Sequence, residues 1–132
     1  MTEHVTGTFT VAGWDENTFE EIEGGGKLTK AHVTFGLAGE LKGEANWEAV
    51  MCYGQDGTAV FTGYQRVTGS LGSRKGTFVV RADGGFTDGV ATTAWQVVDG
   101  SATGELAGLR GSGEAVTTGG SGGDFTLDYE LG

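Results

Sequence analysis

The sequence predicts an all-β protein, a single antiparallel up-and-down β-barrel of about eight strands spanning residues 1–132. Three observations carry that expectation. Apolar residues alternate with polar ones at period two in run after run. Short turn-forming stretches separate the runs, roughly every ten residues, as in consecutive hairpins. No window places apolar residues at helical spacing between recognisable caps.

Taken in order, the extended runs are HVTGTFTVAGW (4–14), TFEEIE (18–23), LTKAHVTFGLAG (28–39), GEANWEAVMCY (43–53) and TAVFTGYQRVT (58–68). KGTFVVRADG (75–84), GVATTAWQVV (89–98), TGELAGLRGSGEAV (103–116) and DFTLDYEL (124–131) complete the set. Between them DENT, GGGK, GQDG, GSLGSRKG, TDG, DGSA and GGSGGD supply turn chemistry, and Gly119 to Gly123 reads as a loop. Proline is absent, so the turns rely on Gly, Asp, Asn and Ser, which tolerate positive φ or bond their own backbone. The 27 glycines are interleaved with aromatic, Val and Thr residues, which sets the chain apart from a disordered low-complexity tract.

A chain of 132 residues is long enough for one well-buried core and short for two. Its 18 acidic and 8 basic residues give a formal charge of -10, which argues against nucleic acid and anionic membranes as partners. Cys52 is the only cysteine, so no internal disulfide forms, and a reducing cytoplasmic setting is expected. No apolar stretch reaches the length of a membrane-spanning helix.

Motifs that would announce chemistry fail on inspection. EGGGKLT lacks the first glycine and the Ser/Thr of a phosphate loop, because Glu21 and Leu28 stand in their places. DENTFEEIE puts Phe19 and Glu20 where a calcium loop needs an oxygen ligand and a glycine, and reads instead as an acidic edge strand. His4, His32 and Cys52 have no metal-ligand spacing, so neither a metal nor a cofactor is expected. No Gly-x-Ser-x-Gly elbow is present.

The residue that stands out is Glu48, set among Trp47, Ala49, Val50 and Met51. Partners across a tight hairpin share a face of the sheet, so a register can be carried from turn to turn. Pairing Tyr53 with Thr58 across GQDG puts Glu48 on the side of Phe61, Gln65 and Val67. Extended along the chain, that side gains Phe78, Val80 and Ala82, then Thr93, Trp95 and Val97, and finally Leu106 and Arg110. Backwards over GELKG it gains Val33, Phe35 and Leu37.

This register predicts a mostly apolar lumen with Asn46, Glu48, Gln65, Thr93 and Arg110 as polar groups, the composition of a small-molecule pocket. Glu48 becomes the candidate acid or base, with Phe61, Phe78 and Trp95 as walls. Trp47, Met51, Tyr53, Val60 and Tyr64 would then face outward, an apolar patch suited to a homo-oligomer. One β-bulge would reverse the assignment, turning Trp47, Met51 and Tyr53 inward and leaving Glu48 in water.

KLTKAHVTF, GEANWEAVMCY, GYQRVTGSLGSRKGTFVV, GSATGELAGLRGSGEAV and FTLDYEL resemble an uncharacterised bacterial domain-of-unknown-function family of the DUF3224 type, grouped with allene oxide cyclase-like barrels. GSATGELAGLRGSGEAV is also similar to a glycine-containing stretch of plant dirigent proteins and allene oxide cyclases. The resemblance spans nearly the whole chain and implies an allene oxide cyclase-like barrel that binds a small, largely apolar molecule. It leaves open a cofactor-independent cyclase or isomerase, a non-catalytic binding barrel, and a structural or interaction protein with a solid core. Glu48 and Arg66 match residues usual in that family, whereas Gln65 stands where Glu is common.

Overall fold

The computed structural model describes residues 2–117 and 121–131, and its regular structure is entirely β. The strands are β1 (Glu3–Ile22), β2 (Gly26–Gly39), β3 (Leu41–Tyr53), β4 (Ala59–Leu71), β5 (Arg74–Thr87), β6 (Val90–Val97), β7 (Thr103–Gly104), β8 (Leu109–Thr117) and β9 (Gly122–Leu131). Every pairing is antiparallel, in the order β4-β3-β2-β1-β9-β8-β6-β5, and β4 pairs with β5 to close the ring. The result is an eight-stranded barrel with the two-residue β7 added on β5. A closed ring of this number leaves an interior that side chains nearly fill.

The break expected at DENT does not occur: residues 3 to 22 form one strand, paired with β2 nearly throughout. The ladder shifts between Val11 and Gly13 and again between Thr18 and Glu20, leaving Ala12 and Phe19 as the extra residues. Each extra residue reverses which side chains face inward. Val5 and Phe9 are buried before the first shift, whereas Trp14 and Glu16, opposite the interior residues Val33 and Ala31, face the lumen after it. Pairing of β1 with β9 stops at Thr10, so the acidic remainder of β1 runs on with β2. Of the loop expected over Gly119 to Gly123, Gly119 and Gly120 lie outside the described residues, while Gly122 and Gly123 begin β9.

The two ends of the barrel differ. At the end holding the β2–β3 and β4–β5 turns, Leu41, Leu71, Phe78, Leu109 and Leu127 are fully buried or nearly so. The expected run 103–116 breaks into β7, a tight turn and β8. Its turn is held by Glu105 N–H donating to Lys75 O (2.8 Å) and Leu109 N–H to Leu106 O (3.0 Å), and Leu106 is completely buried. Gly76 makes this close approach possible, since a Cβ there would lie 2.1 Å from Thr103 O. The opposite end carries aromatic side chains that remain partly exposed, including Trp14 and Phe86.

Candidate functional site

Register decides the contents of the lumen, and it differs from expectation in β3 alone among β2 to β6. The β3–β4 loop contains Gly54 to Thr58, one residue more than the predicted turn, so Tyr53 pairs with Ala59 and Trp47 with Gln65. Asp56 shapes the loop by accepting hydrogen bonds from the Thr58 N–H (3.1 Å) and hydroxyl (2.6 Å), while Gly54 N–H donates to Thr58 O (2.8 Å). Those hydroxyl and amide donors lower the Asp56 pKa. The register across the β2–β3 turn is also displaced by one, pairing Val33 with Trp47. The two displacements cancel beyond β3, so β2, β4, β5 and β6 keep their predicted faces and β3 alone is inverted.

Consequently Ala45, Trp47, Ala49 and Met51 point inward, and Asn46 and Glu48 outward. Glu48 is 58 % exposed and sits beside His32, with Oε1 2.5 Å from Nδ1. The expectation of a luminal acid or base at Glu48 is therefore corrected. Asn46 is exposed and accepts a hydrogen bond from Thr34 (3.1 Å). Arg110 also falls outside, opposite Glu130 on β9, because the turn at 105–108 changes parity so that Leu109 takes the interior position. Of the patch expected to face outward, Trp47 and Met51 are buried and Tyr53 is half-buried, leaving Val60 and Tyr64 in solvent together with Val50.

Gln65, Thr93 and Trp95 do line an inner cavity, together with Phe9, Phe35, Leu37, Trp47, Ala82 and Ala115. Its free volume is about 30 Å³. Phe9, Phe35, Trp47 and Thr93 also line an outer chamber of about 170 Å³ that reaches Trp14, Met51, Phe61 and Phe86. Phe78, predicted as a wall, is instead buried in the packed core. The aromatic rings are in mutual contact around the wall: Phe9 on Phe35 (5.6 Å), Phe35 near Trp47 (6.5 Å) and Trp47 on Phe61 (5.2 Å) between centroids. Two of these contacts are edge-to-face, the arrangement favoured by the ring quadrupoles.

Two polar groups lie within this apolar wall. Gln65 is 3 % exposed and Trp47 5 % exposed, and neither Gln65 Nε2 nor Trp47 Nε1 has a hydrogen-bond partner among the described residues. They are directly opposite one another on adjacent strands, so their side chains share the luminal face.

At the outer rim, Glu16 accepts hydrogen bonds from Thr29 (2.6 Å), Tyr53 (2.5 Å) and the Trp14 indole (2.9 Å). Burial opposes its charge, but these donors and the nearby Lys27 outweigh that and lower its pKa. Burial, then the bond to anionic Glu16, pushes the Tyr53 hydroxyl up to about 12, with Thr29 partly offsetting the rise. Lys27 also lies over the Tyr53 ring, 5.1 Å from its centroid. Sequence reasoning missed this cluster because Glu16 reaches the luminal side only through the bulge at Ala12. No group of three metal-ligating side chains occurs among the described residues.

Fold and cavity together define a small antiparallel barrel with one packed end and one aromatic-lined opening. The chain belongs to the DUF3224 family of proteins of unknown function, whose model matches residues 5–129. It is similar to the crystal structure of a DUF3224 protein of unknown function from Shewanella oneidensis MR-1, with a TM-score of 0.85 and 26 % identity. That likeness covers 100 % of this chain and 99 % of the other. No curated protein matches.

Proposed function

We propose that this protein binds a compact, largely apolar molecule, taken through the aromatic end into the lumen. The observation that carries the reading is the continuous aromatic wall joining the outer chamber to the inner cavity. Apolar, concave walls with a few polar groups are the usual setting of a small-molecule site. The inner space has room for a small functional group, and the ligand's bulk belongs in the outer chamber. A cofactor-independent cyclase or isomerase is less well supported, because the residues lining these two chambers include no titratable side chain. Such an enzyme would have to act through conformational restraint of its substrate and neutral hydrogen-bond donors.

The test is a titration of the protein with 2-ethylnaphthalene, followed by tryptophan emission and calorimetry. Saturable binding to one site is expected, with loss of binding in Thr93→Phe, whose ring would occupy the junction of the two chambers. Circular dichroism checks that the variant retains its β structure. Absence of saturable binding, or undiminished binding by folded Thr93→Phe, would reject the luminal site.

A further inference from the structure

We infer that the lumen selects an uncharged ligand bearing a carbonyl-type oxygen, which accepts hydrogen bonds from Trp47 Nε1 and Gln65 Nε2. This inference rests on the luminal binding reading and adds the chemical class of the ligand. Buried donors in natural proteins are nearly always paired, and an unpaired one carries a desolvation cost. Here two unpaired donors occur together, on facing residues that line the same cavity. The indole N–H fixes the sign of the missing partner, because it can donate and never accept. A ligand atom serving it must therefore be an acceptor, and the Gln65 amide supplies a second donor on the same side.

Charge narrows the class further. Among the described residues neither chamber is lined by Lys, Arg or His, so a carboxylate entering the lumen would lose water without gaining a counter-charge. At the rim the anionic Glu16 offsets the charge of nearby Lys27, and the chain as a whole carries a formal charge of -10, both unfavourable to an anion. A neutral ketone, aldehyde, ester or lactone meets the donors without that penalty. The small inner cavity suits the carbonyl group, while the aromatic walls of the outer chamber suit a planar or conjugated body.

Three naphthalenes of similar size test the assignment by calorimetry at neutral pH: 2-acetylnaphthalene, 2-ethylnaphthalene and 2-naphthoate. The unaltered protein should bind the ketone at least about tenfold more tightly than the hydrocarbon, consistent with satisfying buried donors, and the carboxylate most weakly. Trp47→Phe keeps an aromatic wall and removes one donor, and Gln65→Leu keeps the approximate volume and removes the other. Each should cut the ratio of ketone to 2-ethylnaphthalene affinity several-fold, whatever the change in hydrocarbon affinity itself, and saturable binding of 2-ethylnaphthalene by the variant reports that the lumen is intact. Equal binding of ketone and hydrocarbon, an undiminished ketone advantage in both variants, or tightest binding of the naphthoate would overturn the inference. If 2-ethylnaphthalene binds and the ketone has no advantage, the luminal site stands and the carbonyl assignment fails. If none of the three binds, both fail.

Discussion

At the packed end of the barrel Leu41, Leu71, Phe78, Leu106 and Leu109 are almost wholly withdrawn from solvent. At the open end Trp14 and Phe86 line the outer chamber yet remain 52 % and 38 % exposed. Phe78 and Phe86 stand on the same strand, β5, so strand pairing alone does not explain the contrast. The β7–β8 turn drives Leu106 into one end, whereas at the other the bulge at Ala12 turns Trp14 and Glu16 inward. Stability is concentrated where apolar groups are fully packed, and free volume is left where packing is incomplete.

The largest expected effect lies at the packed end. Leu106→Ala should destabilise the protein by about 2–5 kcal/mol in denaturant unfolding, the usual cost of emptying a buried leucine site. Binding of 2-ethylnaphthalene by the fraction that remains folded should not change. A loss under about 1 kcal/mol would mean that the turn lies on the barrel without sealing it.

Gln65→Leu should move stability in the opposite direction, raising it by about 1–3 kcal/mol through removal of an unpaired buried amide. A thermal melt measured without ligand decides this. Destabilisation would show that the Gln65 amide contributes to the fold, and the contrast between packed end and open lumen would weaken.

At the rim, Glu16→Gln should cost about 1 kcal/mol, since three donors lose a charged acceptor in a half-exposed setting. Because the folded-state pKa of Glu16 is lowered, its contribution is present at neutral pH and is lost as pH falls through that lowered value. Tyr53 behaves in the reverse sense. Its pKa is raised from 10.0 to about 12, so its contribution is present below pH 10 and is lost as pH rises toward 12. Tyr53→Phe should remove that alkaline step from a plot of melting temperature against pH. Persistence of the step would assign it to other groups.

The smallest effect is expected outside. Glu48→Gln should alter stability by less than about 0.5 kcal/mol and leave probe affinity unchanged, because the His32 pair is solvent-exposed. A marked loss of binding on this substitution would place Glu48 in communication with the lumen.

Much of the architecture was legible. Alternation identified the staves, and the inward faces of β2, β4, β5 and β6 came out of the turn-to-turn register because the displacements on the two sides of β3 cancel. Gln65, Thr93 and Trp95 were accordingly expected on the lumen and lie there. Glu48 and Asn46 were misplaced because the face of β3 was derived from turn lengths. Its own pattern is ambiguous, with Trp47 and Met51 on one side and Val50 and Cys52 on the other. Arg110 was misplaced for a related reason: a turn around Leu106 intervenes in a run that alternates smoothly enough to pass for one strand.

The sequence by itself determined the all-β class, the approximate strand count and the apolar character of the lumen, since period-two patterning and glycine-rich turns are local properties. Tertiary structure decided which face of β3 is inside, where β1 changes face, and which end of the barrel is sealed. The third depends on the turn that buries Leu106, and the first two on a single residue of register, since both faces of a strand have the same backbone. Only pairing with neighbours on both sides, together with the packing of Trp47 and Leu106, selects between them.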